Sequence, residues 1–360
     1  MRRGGVLAAA VVAGVLVLAP SASAATKLVV AGPPVADRPA GVPPDADSNQ
    51  FFRKTITIHK GDRVQWRFAG FHSVTFPKLG DQPPPFIIPQ TGSDISGALD
   101  PDNKPFWFNG QPNIILNPQG ANVQGGSSYN GKRLTGSGVP ADEGEPRPYT
   151  LTFNKTGSFK YYCVVHPGQR GTVKVVPSNK SVPTPAEDRR AVQQQFTDVV
   201  DKIREDANFD GPSGNAVEAG NDTISTTFLR FFPQSKTVKV GDVVTFKMSK
   251  QTTEIHTVTF GPEAFLQNLA QTFLLPEEGS GNPPTIQVSP ISAYPSDPPP
   301  VLPAYNGVNH GNGFINTGFL DRIKASESPG YSRIKFTNPG TYGYFCVIHP
   351  NMTGQVVVTP

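Results

Sequence analysis

The chain has 360 residues, a formal net charge of +4 and a hydrophobic content of 37%. This length suits two domains of ordinary size, and the small, dispersed positive charge argues against nucleic acid or an anionic membrane surface as a partner. The 36 glycines and 38 prolines are typical of a loop-rich β protein.

Residues 1–24 have the order of a secretory signal peptide. Two arginines precede an apolar run over 6–19, and an A-x-A cleavage site follows at 22–24. The run is too short to span a bilayer comfortably, so an uncleaved anchor is the less favoured alternative. We expect cleavage to leave a chain with a net charge of +2 and no membrane span, secreted or held in the cell envelope.

The remaining sequence contains an internal repeat. GSFKYYCVVHPGQRGTVKVVP at 157–177 aligns without a gap with GTYGYFCVIHPNMTGQVVVTP at 340–360. Upstream, FHSVTF in the first copy matches IHTVTF in the second, and each follows a segment with a Gly-Asp turn. The histidine of this motif lies 91 residues before the cysteine in the first copy and 90 in the second. We infer that one domain has been duplicated and that each copy has one cysteine.

The repeat divides the chain into domain 1 at 25–178, a linker at 179–221 and domain 2 at 222–360. Each domain includes a Pro-, Gly- and Asn-rich insert, at 77–148 and at 261–330, which is long for a loop. Elsewhere, short segments rich in aromatic and β-branched residues are separated by turn signals. The pattern predicts an all-β fold with two tandem sandwiches or barrels.

Two helices are also predicted. In the linker, Thr184-Pro185-Ala186-Glu187 combines an N-cap, a proline at the first helical position and a capping-box glutamate. The apolar residues that follow lie on one helical stripe: Val192, Phe196, Val199, Val200 and Ile203. We expect this helix to pack against a domain and space the two copies, with partner binding as a less favoured role. EAFLQNLAQTFLL at 263–275 predicts a short helix in the second insert.

Each copy supplies one isolated histidine and then a Cys-x-x-His-Pro turn. A thiolate and two imidazoles are the ligands of a trigonal copper site, which a weak axial ligand completes. The axial candidate lies three residues beyond the second histidine, and it is an amide in the first copy and a thioether in the second. The candidate ligands are His72, Cys163, His166 and Gln169 in the first copy, and His256, Cys346, His349 and Met352 in the second.

Other interpretations stay open at this stage. A disulfide between Cys163 and Cys346 would require domain docking that brings their Cα atoms within about 7 Å. Both cysteines could instead be buried structural thiols. Zinc could occupy His₂Cys sites, although structural zinc prefers four Cys or His donors. Gln169 is the least secure ligand, because the first copy could have lost its axial residue.

The motif CVIHPNM resembles the short ligand loop of the amicyanin-type cupredoxins, which are blue copper proteins. CVVHPGQ resembles the same loop with the axial glutamine of stellacyanin-like members. The resemblance covers 50–76 and 149–177 in the first copy and 224–260 and 331–360 in the second. It implies two tandem Greek-key β-sandwiches, each with one type 1 copper near one end that cycles between Cu(I) and Cu(II).

The sequence departs from the family in two respects. The residue after the first histidine is often asparagine in the family, but here it is Ser73 or Thr257. We expect each hydroxyl to bond a neighbouring backbone group and brace the ligand loops more softly. The inserts are also larger than those of compact cupredoxins. We expect them to cover the copper, shape a docking face or pack the domains together.

We therefore expect a secreted type 1 copper protein that transfers single electrons to or from an unidentified redox protein and is not an enzyme. A copper storage or delivery protein, a structural scaffold and a copper oxidase or nitrite reductase-like enzyme are the alternatives. The enzymes need further histidines, but only His59 and His310 are left, and both are predicted surface residues. Met248 is predicted to be a core residue. Because an amide oxygen favours Cu(II) more than a thioether does, we expect the Gln169 site to have the lower potential and to donate toward the Met352 site.

Overall fold

The computed structural model describes residues 24–33, 40–140, 147–223, 226–250, 254–323, 328–349 and 351–360. The predicted signal peptide lies outside the described residues except for its last residue. Within the described ranges, no helix is both long enough and apolar enough to cross a membrane.

The regular elements described in the first half of the chain are strands and one short helix. The strands are β1 (Thr26–Ala31), β2 (Ala46–Asp47), β3 (Phe51–Phe52), β4 (Thr55–His59), β5 (Arg63–Phe68), β6 (Thr75–Phe76), β7 (Ile87–Asp94), β8 (Pro112–Leu116), β9 (Ser128–Tyr129), β10 (Thr135–Gly136), β11 (Tyr149–Phe153), β12 (Gly157–Tyr162) and β13 (Arg170–Val176). A short helix, α1 (Pro118–Ala121), follows β8.

The second half repeats this plan after the long helix α2 (Pro185–Asp206). Its strands are β14 (Ala216–Ala219), β15 (Thr227–Phe228), β16 (Phe231–Phe232), β17 (Ser235–Lys239), β18 (Val243–Met248), β19 (Thr259–Phe260), β20 (Leu274–Pro276), β21 (Ile286–Val288), β22 (Ala304–Tyr305), β23 (Ile315–Asn316), β24 (Tyr331–Phe336), β25 (Gly340–Phe345) and β26 (Thr353–Thr359). The helices α3 (Glu263–Gln271) and α4 (Pro290–Ala293) lie in the second insert.

The two copies have the same sheet topology, strand for strand. In the first copy the sheets have the orders β3-β1-β5-β11-β9 and β10-β6-β12-β13-β4. In the second copy the orders are β16-β14-β18-β24-β22 and β23-β19-β25-β26-β17. The predicted duplication and the predicted all-β fold of two sandwiches are therefore confirmed.

Alternating side chains explain why these segments form half-buried strands. In β18, Val244, Phe246 and Met248 are buried, whereas the residues between them are partly exposed. Met248 lies in the apolar core of the second sandwich, as predicted. β5 has the same alternation in the first sandwich, with Val64 and Trp66 fully buried.

The linker helix begins as predicted. The Thr184 hydroxyl accepts a hydrogen bond from the Glu187 N–H (3.3 Å), and the Glu187 carboxylate accepts one from the Thr184 N–H (2.7 Å). Val199 and Ile203 of α2 pack against Phe52 of the first sandwich and Phe232 of the second. The helix therefore packs against both copies, whereas the sequence predicted packing against a domain.

The second sandwich begins earlier than predicted. β14 (Ala216–Ala219) lies within the range assigned to the linker, 179–221, but pairs in parallel with β18 in the core of the second sandwich. With four residues, Ala-Val-Glu-Ala, it is too short to display a diagnostic alternation. The second domain therefore starts before residue 222.

The two inserts form a sheet together. β7 and β8 come from the first insert, β20 and β21 from the second, and the order is β20-β21-β8-β7. Gln287 pairs with Ile115 across the boundary between the copies. Of the three roles expected for the inserts, packing the domains together is thus observed. The predicted helix at 263–275 is also present, although it ends at Gln271 and is followed by β20.

Candidate metal centres

Two His/Cys/His groups lie at equivalent positions in the two copies. We call them site 1 (His72, Cys163 and His166) and site 2 (His256, Cys346 and His349). In each site the potential ligand atoms all lie within 4.8 Å of one another, and every side chain except the partly exposed His349 is buried. Within the described ranges, these are the two groups of this kind.

Site 1 is assembled from two loops. His72 comes from the loop before β6, and Cys163 and His166 come from the turn between β12 and β13. The Nδ1 atoms of His72 and His166 are 3.0 Å apart, and Cys163 Sγ lies 3.5 Å from His166 Nδ1. Gln169 Oε1 is 3.0 Å from His72 Nδ1. The structure thus brings together all four residues predicted for this site.

Site 2 repeats this arrangement. The Nδ1 atoms of His256 and His349 are 3.2 Å apart, and Cys346 Sγ lies 3.8 and 3.6 Å from them. Met352 is fully buried in the same apolar cluster as Cys346. The thioether therefore lies in the apolar core of the second sandwich, in the cluster that also contains the thiol.

Backbone hydrogen bonds fold both ligand turns in the same way. The N–H of Cys163 donates to the carbonyl of Gln169, and the N–H of Cys346 donates to the carbonyl of Met352, each at 3.0 Å. The N–H of each axial candidate donates in turn to the carbonyl of the histidine three residues earlier. Cysteine, histidine and axial candidate are therefore held in one tight turn by the backbone itself.

A hydroxyl braces each cysteine loop, as the sequence predicted. The Ser73 hydroxyl accepts a hydrogen bond from the Val164 N–H at 3.0 Å. The Thr257 hydroxyl accepts one from the Val347 N–H at 2.8 Å. In both copies the N–H of the hydroxyl residue also donates to the cysteine Sγ at 3.3 Å. The loop with the first histidine is thus tied to the turn with the cysteine.

The donor atoms fit a copper ion. Two donors placed about 2.0–2.3 Å from one ion are separated by about 3.1–4.0 Å when they subtend about 100–120° at the ion. The N–N separations are 3.0 and 3.2 Å, and the three N–S separations given above are 3.5–3.8 Å, close to this range. A thiolate and two imidazoles with a weak axial ligand are the donor set of type 1 copper. The side-chain oxygen of Gln169 faces the site, at 3.0 Å from His72 Nδ1. The side-chain nitrogen of Gln169 is buried and has no hydrogen-bond partner among the described residues.

A carboxylate that the sequence analysis missed lies between the two sites. Glu254 Oε1 is 3.4 Å from His166 Nε2, and its Oε2 is 3.8 Å from His349 Nε2. The side-chain amide of Asn49, from the first copy, donates to Oε1 at 3.0 Å. The outer edges of one imidazole from each site therefore face the same carboxylate.

The two remaining imidazoles have oxygen neighbours of their own. His256 Nε2 is 3.7 Å from Asp222 Oδ2, and both side chains are fully buried. His72 has a backbone hydrogen bond with Ala69. Acceptors within hydrogen-bonding distance fix the tautomer and the orientation of ligating histidines, whereas Asp222, at 3.7 Å, acts on His256 through its charge. Site 2 thus has one more buried carboxylate than site 1.

Burial dominates the ionisation of site 1. It lowers the pKa of His72 to about 4. Burial, together with the neighbouring His72 and His349, holds the pKa of His166 well below its ordinary value. Burial also raises the pKa of the Cys163 thiol. Site 1 therefore favours neutral imidazoles, which is the form that binds metals.

In site 2 the charged neighbours outweigh burial. Burial opposes protonation of His256, but Asp222 and Cys346 raise the pKa of this imidazole to about 10. Burial likewise opposes ionisation of Cys346, but His256 and His349 hold the pKa of the thiol well below its usual range. Site 2 thus favours the thiolate, the form of cysteine that binds metals.

The structure also bears on the predictions for a disulfide and for the two histidines outside the sites. Both cysteines are free, so the disulfide alternative is wrong. His59 Nε2 lies 2.7 Å from the carbonyl of Lys180. His310 is partly buried between Asp100 (3.1 Å) and Asp297 (3.6 Å), whereas a surface position was predicted. Among the residues that the structure describes, neither histidine belongs to a His, Cys, Asp or Glu group that could hold a metal.

Comparison with known proteins found similar chains among solved structures alone. No family model matches the chain, and no curated protein matches it. Among solved structures, a point mutant of amicyanin in the Cu(I) form is 19% identical and matches 41% of this chain and 85% of its own, with a TM-score of 0.22. A second amicyanin mutant in the Cu(I) form is 18% identical over 42% and 82% of the two chains, with a TM-score of 0.21. Oxidised plastocyanin from Dryopteris crassirhizoma is 21% identical over 40% and 99%, also with a TM-score of 0.21.

These structural neighbours are cupredoxins, and each matches about two fifths of the chain. The two His/Cys/His sites fit two cupredoxin domains. At TM-scores of 0.21–0.22 the likeness carries no argument about this chain, so any function has to rest on the geometry of the two sites.

Proposed function

We propose that this chain is an extracytoplasmic carrier of single electrons with two type 1 copper sites. The repeated triangle of two Nδ1 atoms and one Sγ atom, found once in each copy, is the observation that supports the proposal most directly. Copper bound there would supply the one-electron change between Cu(I) and Cu(II).

The protein residues would hold both oxidation states in one geometry. The thiolates of Cys163 and Cys346 are soft donors, and each accepts a backbone hydrogen bond from the residue after the first histidine. Hydrogen bonding around the cysteine sulfur and the axial ligand are the levers that tune the potential of such sites. Burial of both thiols keeps water away from the donors. Little of the surrounding structure would have to move when the charge changes.

A carrier is preferred over an oxidase or nitrite reductase. Those enzymes need a second copper centre with further histidine ligands, and the chain has two histidines beyond the sites. His59 contacts Lys180, and His310 contacts Asp100 and Asp297. A storage or delivery protein is less favoured, because mixed thiolate and imidazole sites differ from the Met- or His-rich sites typical of that class. We propose a redox protein as the electron donor or acceptor.

The test is copper titration of the purified protein, with the visible spectrum recorded at each addition. We expect two equivalents of Cu(II) and an intense thiolate-to-copper band. Cys163→Ser and Cys346→Ser should each remove one equivalent and about half of the band, in proportion to the loss of one of two similar sites. Copper binding without such a band would favour storage or delivery. Absence of copper binding would contradict the proposal.

Location has an independent test. The gene, expressed with its own N-terminal segment, should give protein outside the cytoplasm. N-terminal sequencing should then start at Ala25, the residue after the predicted cleavage site. A chain that retains residues 1–24 would support the anchor alternative.

A further inference from the structure

The two metal centres share one outer residue. Glu254 belongs to the second copy and lies two positions before His256. One of its carboxylate oxygens faces site 1 and the other faces site 2. Oε1 approaches His166 Nε2 of site 1, and Oε2 approaches His349 Nε2 of site 2. The histidines involved are the second histidine of each copy, so the equivalent edges of the two sites face one another.

The chemistry of these edges follows from the orientation of the rings. In both imidazoles Nδ1 faces the cysteine sulfur, at 3.5 Å in site 1 and 3.6 Å in site 2. A neutral imidazole that donates its Nδ1 lone pair to a metal has its proton on Nε2. Each Nε2–H therefore lies on the edge of its ring that faces Glu254, with N–O separations of 3.4 Å in site 1 and 3.8 Å in site 2. The longer separation exceeds hydrogen-bonding distance, so the carboxylate acts on the two rings chiefly through its charge.

The position of Glu254 is fixed by the interface between the copies. Asn49 of the first copy donates to Glu254 Oε1 (3.0 Å) and to the Thr227 hydroxyl (2.9 Å). Asn49 and Thr227 are almost fully buried, and Glu254 is 9% exposed. Thr227 lies in β15, which pairs with β2 of the first copy. Because burial of a carboxylate is costly without donors, this arrangement depends on both copies being docked.

We propose that Glu254 is a positioning residue shared by the two centres, and that metal bound at one centre changes the imidazole held at the other. The proposal rests on the proposed function only for the identity of the two sites. His166, when held by a metal at site 1, would orient Glu254 through one carboxylate oxygen, and the second oxygen would orient the ring of His349. The same chain of contacts runs in the opposite direction.

Asp222 provides a matched control. It is also a buried carboxylate beside a candidate ligand, but the imidazole that its Oδ2 approaches is that of His256, which belongs to site 2. Loss of its charge should affect site 2 and leave site 1 unchanged. Loss of the Glu254 charge should affect both sites.

The first experiment measures Zn(II) affinity by chelator competition in the full chain. Zn(II) is redox-inert, so the result does not depend on electron transfer. Cys346→Ser isolates site 1, and Cys163→Ser isolates site 2. Removal of an outer acceptor typically weakens metal affinity about 10–100-fold. We expect Glu254→Gln to weaken both isolated sites by at least about 10-fold. Asp222→Asn should weaken site 2 alone.

The second experiment detects the coupling directly. The Nε2–H resonance of His349 is recorded by ¹⁵N–¹H NMR with Zn(II) in site 2, and with site 1 either loaded or emptied by Cys163→Ser. We expect this resonance to shift with the state of site 1 in the wild type and to stay constant in Glu254→Gln. A residue with a merely structural role would not produce that difference.

Two results would overturn the proposal. One is a Glu254→Gln variant in which one site or neither loses affinity. The other is a His349 resonance that responds to site 1 equally with and without the carboxylate. Glu254→Asp keeps the charge but shortens the side chain, and it serves as a control for misfolding. This variant should lose the coupling, while the melting temperature of the metal-free protein stays close to that of the wild type. If these two experiments contradict the role of Glu254 but the thiolate-to-copper band is intact, the proposed function is not affected.

Discussion

Gly171 lies directly opposite Tyr161 on the neighbouring strand, and the tyrosine ring occupies the space that a side chain at Gly171 would need. A Cβ atom built on Gly171 would be 2.2 Å from Tyr161 Cζ. The second copy repeats the pair, with Gly354 opposite Tyr344 and a corresponding distance of 2.6 Å. Each tyrosine is two residues before the cysteine of its site. The glycine thus lets a large ring fill the core beneath the ligand turn.

Gly171→Ala should therefore destabilise the protein. Forcing an extra methyl group into a packed core typically costs about 1–3 kcal/mol. Urea denaturation of the metal-free protein measures the change. Gly343→Ala is the matched control, because this glycine lies in β25 and a Cβ atom added to it would meet no other atom within 4 Å. Equal unfolding free energies for the two variants would contradict the packing argument.

Loss of the hydroxyl brace should also cost stability. Thr257→Val keeps the shape of the side chain but leaves the buried N–H of Val347 without its acceptor at 2.8 Å. A buried donor left unsatisfied costs about 1–3 kcal/mol. Thr257→Ser retains the hydroxyl and should recover most of the loss. Chemical denaturation of the two metal-free variants measures their free energies of unfolding. Identical free energies for the Val and Ser variants would show that the hydrogen bond contributes nothing to stability.

The axial candidates should set the relative potentials of the two sites. Site 1, isolated in Cys346→Ser, should have a lower potential than site 2, isolated in Cys163→Ser. Met352→Gln in the isolated site 2 should lower the potential by on the order of 60–120 mV, the one-electron equivalent of a 10–100-fold change in relative affinity. Potentiometry followed at the thiolate-to-copper band measures all three values.

Asp222 bears on the same comparison, because its charge near His256 also favours the oxidised state of site 2. Asp222→Asn should therefore raise the potential of site 2 and widen the gap between the sites. Equal potentials in the two single-site proteins, unchanged by the axial substitution, would be incompatible with Gln169 and Met352 as ligands.

His310 should make stability depend on pH. The carboxylate of Asp297, at 3.6 Å, and the hydrogen-bonded carboxylate of Asp100, at 3.1 Å, outweigh burial and raise the pKa of His310 above its ordinary value of 6.5. The contribution to stability is thus fully present below pH 6.5 and is lost as the pH rises through the folded-state pKa. We expect it to be about 1 kcal/mol, because the group is partly exposed.

The measurement is the difference in unfolding free energy between the wild type and His310→Gln, followed from pH 5 to pH 9. The difference should be largest at pH 5 and decline above pH 6.5. In an Asp297→Asn background the decline should be smaller and should begin at lower pH. A difference that does not vary with pH would exclude a charged His310 as the cause.

Local sequence patterns were sufficient to predict most of the ligand geometry. Cysteine, second histidine and axial candidate lie within seven residues, so one backbone turn brings them together. The hydroxyl brace follows from the residue next to the first histidine, and the capping box of α2 follows from four consecutive residues. In each case the interaction is short in sequence, or is supported by the repeat itself.

The shared carboxylate could not be predicted in this way, because its neighbours are brought together only when the copies dock. Asn49 and Glu254 are separated by 205 residues. One signal was nevertheless present. In the repeat alignment Glu254 corresponds to Gly70, so it is a charged residue that breaks the symmetry beside a ligand. The sheet of the inserts was missed for a related reason, since its pairing depends on long-range contacts between irregular segments.

The sheet formed by both inserts has a consequence for the expression of a single copy. In that sheet β8 is flanked by β7 from its own copy and by β21 from the other. Cutting the chain in the linker to produce one copy would leave a row of backbone N–H and C=O groups open, as well as the apolar side of α2. Such open edges recruit other chains. Each half therefore covers an edge that would be open in the other, and neither should remain monomeric when expressed alone.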